Sequence, residues 1–210
     1  MKRLIVGTSL TAALLLAGCG ETTTDTSEEK TTEVKGEETQ ETAAKEPEKK
    51  EEATDPNTEK SDFGMEKIQY KKDDLGITTK LGPMNFKINT VKTSRLMIDE
   101  ASRGMFEDKE EVTLIVLGVD VENTSDDTVS FYPDQATLTT NTGEQIESEL
   151  MFVDQVGGDF IGKVKKSGEV VFLAESEPKE ITQIKYIVEG PSDANFEPLA
   201  EQYTVEIPTK

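Results

Sequence analysis

Residues 111–125 read EVTLIVLGVDVENTS, and the alternation within them decides the fold. The odd positions Ile115, Leu117, Val119 and Val121 are apolar without a break, as in a strand with one face against a core. The even positions change character: Val112, Leu114 and Val116 are apolar, Gly118 follows, and Asp120 and Glu122 are charged. A strand that is apolar on both faces over part of its length belongs in the middle of a sheet and needs cover on its second face. Two readings supply that cover. Another part of the chain packs over Val112, Leu114 and Val116, with GMEKIQYKKDDLGITT (64–79) the segment expected to do so, or these residues form a partner or dimer surface.

Working outward, the same period of two recurs. Phe86, Ile88 and Thr90 alternate in NFKINTVK, Val170, Phe172 and Ala174 in GEVVFLA, Ile184, Tyr186 and Val188 in TQIKYIVE, and Tyr203, Val205 and Ile207 in YTVEI. Leu138–Thr140 and Gln145–Glu147 flank NTG, where Gly143 can take the left-handed conformation a short hairpin loop requires. Helix is confined to a turn or two in IDEASRGMF. Short strands at this spacing predict an all-β chain, an antiparallel β-sandwich over residues 62–210. A stretch of that size suits one domain with one core.

Upstream of Asp62 the composition changes abruptly. Residues 19–61 are dominated by Glu, Thr, Lys and Ala, with Val34 the only sizeable aliphatic residue. So little apolar surface cannot offset ordering entropy, and a disordered acidic tether is expected. Residues 1–18 have the parts of an export signal: Lys2 and Arg3, the apolar run Leu4–Leu16, then the small pair Ala17 and Gly18. The run is too short to span a bilayer. Leu16-Ala17-Gly18-Cys19 resembles the bacterial lipobox. That resemblance implies a diacylglycerol on the Cys19 sulfur, cleavage just before it, and stable anchoring through two acyl chains. The expected location is the extracytoplasmic face of the cell membrane, with the bilayer itself a partner through acylated Cys19.

VTLIVLGVDVENTSDDTVSF, ATLTTNTGEQIE and VKKSGEVVFLAES together resemble the repeating plan of bacterial immunoglobulin-like lipoprotein domains of unknown function. In that plan a hydrophobic strand ends in a Val-Glu-Asn-Thr turn, a Gly-containing hairpin follows, and a Gly-Glu lead enters a Val-Val-Phe strand. The sandwich of secreted mycobacterial immunogenic antigens is similar, and some members carry a telomeric repeat-binding label. The resemblance covers about Leu81 to Pro208. Its motifs imply a fold and bring no functional residue with them, and the charged stretch EDKEE departs from the plan.

Composition removes most chemistry. The chain has no histidine, no tryptophan and one cysteine, so imidazole bases, Ser-His-Asp triads, thiolate catalysis and Cys-rich zinc sites have no residues to build on. Phosphate-binding glycine loops and the nucleophile elbow are missing too. Catalytic residues and cofactors are therefore expected to be none. A net charge of −20, from 43 acidic and 23 basic residues, argues against nucleic acid, which needs a basic face. It leaves a cation such as calcium to be weighed. The weak candidate ligands are Asp126 with Asp127, Asp154 with Asp159, and the cluster Glu107, Asp108, Glu110 and Glu111, against the alternative of solvated loops.

Asn123-Thr124-Ser125 matches a glycosylation pattern but is read as the turn closing a strand, with Asn tolerating left-handed geometry. FVDQVGGDFIG (152–162) either plugs the core edge with its phenylalanines or forms a recognition loop, with Phe160 a candidate beside Val112, Leu114 and Val116. The expectation is a non-enzymatic envelope lipoprotein whose sandwich binds another envelope protein through an edge strand or end loop. The alternative is a surface module for a small ligand or calcium. Oligomeric state is left open.

Overall fold

The computed structural model describes residues 55–152 and 154–210. The signal peptide, Cys19 and nearly all of the expected tether lie outside the described residues. Thirteen strands follow in chain order. They are β1 (Thr58–Ser61), β2 (Gly64–Lys72), β3 (Ile77–Leu81), β4 (Met84–Ile98), β5 (Glu111–Asn123), β6 (Thr128–Phe131) and β7 (Thr137–Thr140). After them come β8 (Gln145–Glu147), β9 (Gly158–Ile161), β10 (Lys165–Ala174), β11 (Gln183–Val188), β12 (Ser192–Asp193) and β13 (Tyr203–Pro208). Among the described residues helix is limited to 3-10 turns at Glu100–Met105, within IDEASRGMF as expected, and at Pro133–Gln135.

All pairings are antiparallel. The large sheet runs β1-β2-β4-β5-β10, with β3 pairing the first part of β4 along the edge that β2 pairs farther on. Facing it are the sheets β13-β11-β7-β8 and β12-β6-β9. The expected all-β sandwich is the fold. Among the described residues pairing starts at Thr58, upstream of the Asp62 boundary, because a polar TEKS segment can add to an edge where ladder hydrogen bonds rather than side-chain burial hold it.

The core lies between the sheets. Ile115, Leu117, Val119 and Val121 face it from β5, Val170, Phe172 and Ala174 from β10, and Ile184, Tyr186 and Val188 from β11. Tyr186 is fully buried, and its hydroxyl donates to the Pro133 carbonyl at 2.6 Å. Burial, together with the nearby Asp134 carboxylate, pushes its phenol well above the ordinary range, so it remains a neutral donor. The β7–β8 hairpin turns as expected, with Gly143 at φ 91°.

Two strands depart from simple alternation, β2 between Ile68 and Tyr70 and, with more consequence for the core, β4. In β4 the register shifts between Ile88 and Thr90, a bulge at Asn89. Phe86 and Ile88 face the core, but after the extra residue Val91 takes the inward position and Thr90 turns outward against Gly118. The expected Phe86, Ile88, Thr90 face is corrected at its third member.

Candidate recognition surface

The outer face of the large sheet has two halves, and both are assembled from the even positions of β5 and their cross-strand partners. At one end Val112 pairs with Leu96, and Leu114 lies between Ser94 and Leu173. Leu96, Ile98, Phe106 and Val112 form a second buried cluster, with Phe63, Leu114, Phe152 and Leu173 packed against it. Its roof is aromatic. Phe106 and Phe152 stack at 4.8 Å with their planes 6° apart, and Phe63 meets both edge-on, at 5.6 and 5.2 Å. These rings come from the β1–β2 turn, the end of the first 3-10 turn and the loop before β9.

The chain therefore covers its own apolar half, but not with the expected segment. Residues 64–72 and 77–81 are β2 and β3, strands in the plane of the sheet, and so cannot also lie on top of it. Val112 and Val116 are buried and Leu114 is half-buried. Phe160 has no exposed surface and sits in the main core, on β9 opposite Val129. Val112 and Val116 keep at most 5% of their surface accessible and Phe160 none, too little for a partner surface, which corrects that reading for these three residues. Gly118 marks the boundary between the halves: its N–H donates to Thr90 Oγ1 at 3.1 Å, and a β-carbon there would collide with that oxygen.

Next to the boundary a charge is buried. Glu66 on β2 accepts from the Ser94 hydroxyl at 2.5 Å and pairs with Lys92 at 2.7 Å. Beyond it the outer face is polar and open. Thr78 and Lys80 of β3, Asn85 and Lys87 of β4, Asp120 and Glu122 of β5, and Lys165 and Ser167 of β10 line a groove of about 620 Å³. Its carboxylates are held ionised. Side-chain hydrogen bonds from Asn89 and Ser167 keep Asp120 below the ordinary aspartate value, with Lys87 and Lys165 adding attraction. Glu122 is lowered by Asn85 and Lys165, at 3.1 and 3.0 Å. The groove thus presents fixed negative charge flanked by lysines, and ends at β3, which pairs only with β4 among the described residues.

The proposed cation ligands are kept apart or already occupied. Asp126 pairs with Lys163 at 2.9 Å, Asp159 accepts from Ser130 at 2.6 Å, and Asp154 accepts the Glu169 N–H at 3.0 Å. In the 107–111 cluster, Lys109 pairs with Glu107 and Glu175, and Arg103 with Glu110. Among the described residues no three acidic, histidine or cysteine side chains converge on a point. Asn123 closes its strand differently from expectation. It keeps extended backbone in β5 and ties the turn through its side chain, donating to the Asp127 and Phe160 carbonyls and accepting the Ser125 N–H at 2.9 Å.

The chain is 30% identical over 162 residues to the SPbeta prophage-derived uncharacterized lipoprotein YonS of Bacillus subtilis (strain 168), a match spanning 74% of this chain and 80% of the relative. The chain belongs to the family of that lipoprotein. No family model matches it. A functionally unknown protein from Listeria monocytogenes EGD-e is similar in structure, with a TM-score of 0.54 at 14% identity, over 69% of this chain and 87% of that one. That likeness shows a shared fold within which this member of the YonS lipoprotein family carries its divided outer face. No local pattern in the sequence marks the groove residues as a set. The available signal was the polar end of β5, Asp120 and Glu122, but nothing local showed that Lys80, Lys87 and Lys165 would gather around them.

Proposed function

We propose that this chain is a non-enzymatic lipoprotein, anchored at the extracytoplasmic face of the cell membrane through acylated Cys19, whose sandwich grips a segment of another envelope protein. Its domain is read as a member of the immunoglobulin-like lipoprotein group. Leu16-Ala17-Gly18-Cys19 and the relation to a lipoprotein family support the anchor. The groove carries the recognition reading. It is open and apposes lysines and ionised carboxylates, a lining that suits a peptide segment bearing both charges. It also borders the edge of β3 that pairs with no other strand among the described residues, where an extended segment can add main-chain hydrogen bonds.

Cys19→Ala releases the protein from the membrane fraction on this reading, and retention of the variant would refute the lipid anchor. For recognition, photocrosslinking from position 87 on intact cells is expected to give a protein adduct that Asp120→Lys abolishes. A small-ligand role is the second reading, favoured by a groove volume typical of such sites. Thermal unfolding of the mature chain with calcium, EDTA and cell-wall fragments separates the two. A ligand at a hundred times its Kd adds about 2.7 kcal/mol, so a saturable rise in midpoint that Lys87→Glu removes would replace the protein partner with that compound.

A further inference from the structure

A second surface, built from other elements, stands independently of the groove. After β12 the chain makes a tight turn through residues 193–197. Asp193 Oδ1 accepts the N–H groups of Asn195 and Glu197, at 2.8 and 2.9 Å. The Asp193 carbonyl accepts from Phe196 N–H at 3.0 Å, and its own N–H donates to the Glu197 carbonyl at 3.0 Å. The Glu197 and Asn195 N–H groups on its oxygen hold the Asp193 carboxyl below the usual aspartate range, so the clamp is ionised at neutral pH. Phe196 sits in this clamp with φ 64° and 85% of its surface exposed.

Neither property serves folding. A bulky residue in the left-handed region is an outlier that surrounding structure must enforce, and such outliers gather where a side chain is presented for use. A phenylalanine so exposed gains almost nothing from the core. Beside it Leu199 is also exposed, and a concavity of about 470 Å³ lined by Pro83, Thr128, Val129 and Leu199 lies next to the turn. The surroundings are acidic: Asp193 and Asp127 line the concavity and Glu197 follows Phe196.

We infer that this end of the sandwich docks a second protein, with Phe196 as the aromatic anchor that enters an apolar pocket rimmed by Lys or Arg on that partner. Charge selects the occupant. An acidic rim repels a second copy of this acidic chain and an anionic lipid surface alike, and complements a basic rim. Rigid aromatic anchors carry a large share of binding energy because little conformational freedom is lost when they are buried.

The test places p-benzoylphenylalanine at position 196 of the full-length chain on intact cells, with the same residue at exposed Tyr132 as reference. The expected result is a protein adduct at 196 and not at 132, whose crosslinked peptide maps to an apolar pocket flanked by Lys or Arg. Phe196→Ala should then weaken binding of that protein at least tenfold. Phe196→Gly, which accepts the positive φ, should keep or raise the thermal midpoint. Adducts on lipid, on a second copy of this chain, or equally at both positions would overturn the inference, as would no adduct at 196. A midpoint several degrees lower in both the Ala and Gly variants would assign Phe196 to packing instead.

Discussion

At Ile98, Val112 and Leu173 the outer face of the large sheet is roofed by three phenylalanines, whereas at Lys87, Asp120 and Ser167, on the same strands, it stands open. The two halves share the strands β4, β5 and β10 and differ in flanking strand, β2 beside one and β3 beside the other, and above all in side-chain chemistry. Apolar surface left in water costs about 25 cal/mol per Å², enough to recruit loops from three places in the chain as a roof. The polar half has no such drive. Its charges are satisfied by one another and by solvent, and it remains accessible. Openness here follows from how the face is composed, which is why the groove, and not the aromatic end, is the candidate for recognition.

Breaking the roofed half should have the largest effect. Val112→Asp buries an unpaired carboxylate beneath Phe106 and is expected to cost roughly 4 kcal/mol or more, read as a loss of midpoint in urea unfolding of the mature chain. A near-neutral result would show that the roof opens easily and that Val112 is in effect a surface residue. At the junction, Lys92→Met removes the cation beside buried Glu66, and a penalty of about 3 kcal/mol is expected for the stranded charge. The double change Lys92→Met with Glu66→Gln should recover much of it if the pair, and not the lysine's packing, matters.

Gly118→Ala sharpens the boundary itself. Its new methyl meets Thr90 Oγ1, and a cost of about 2 kcal/mol is expected, reduced by pairing it with Thr90→Ala in the same unfolding assay. The smallest effect belongs to the open half. Asp120 has a folded pKa below its ordinary 3.8, so its contribution to stability is fully present above that value and is lost as pH falls through the lower folded pKa. Asp120→Asn should leave stability at pH 7 little changed apart from that modest contribution, while making the acid limb below about pH 3.8 shallower. An unchanged acid limb would mean that Asn89 and Ser167 do not hold the carboxylate in solution.

Much of this was legible in residues 111–125. A period of two places a residue on one face of a strand or the other regardless of what lies far away, so the inward row Ile115 to Val121 and the split outer row follow from the sequence. The bulge at Asn89 was not legible, because an extra residue is defined only by the partner strand it faces. The identity of the roof was equally hidden. Phe63, Phe106 and Phe152 are far apart in the chain, and each alone reads as an ordinary loop aromatic. Phe160 shows the reverse case: its glycine-rich setting left a core plug and a recognition loop as alternatives, and β9 pairing decides for the first by turning its ring into the core.

By itself the sequence determined the all-β class, the central strand and the need for cover on half of its outer face, since those depend on local alternation and on the cost of wet apolar surface. Only the tertiary structure decided which loops supply that cover, which lysines meet Asp120 and Glu122, and that Phe196 stands exposed on a clamped turn. The roof and the lysine cluster are contacts between residues distant in the chain, fixed by strand order and register, which no local pattern encodes; the Phe196 clamp is local to residues 193–197, but its exposure depends on what the rest of the fold leaves uncovered.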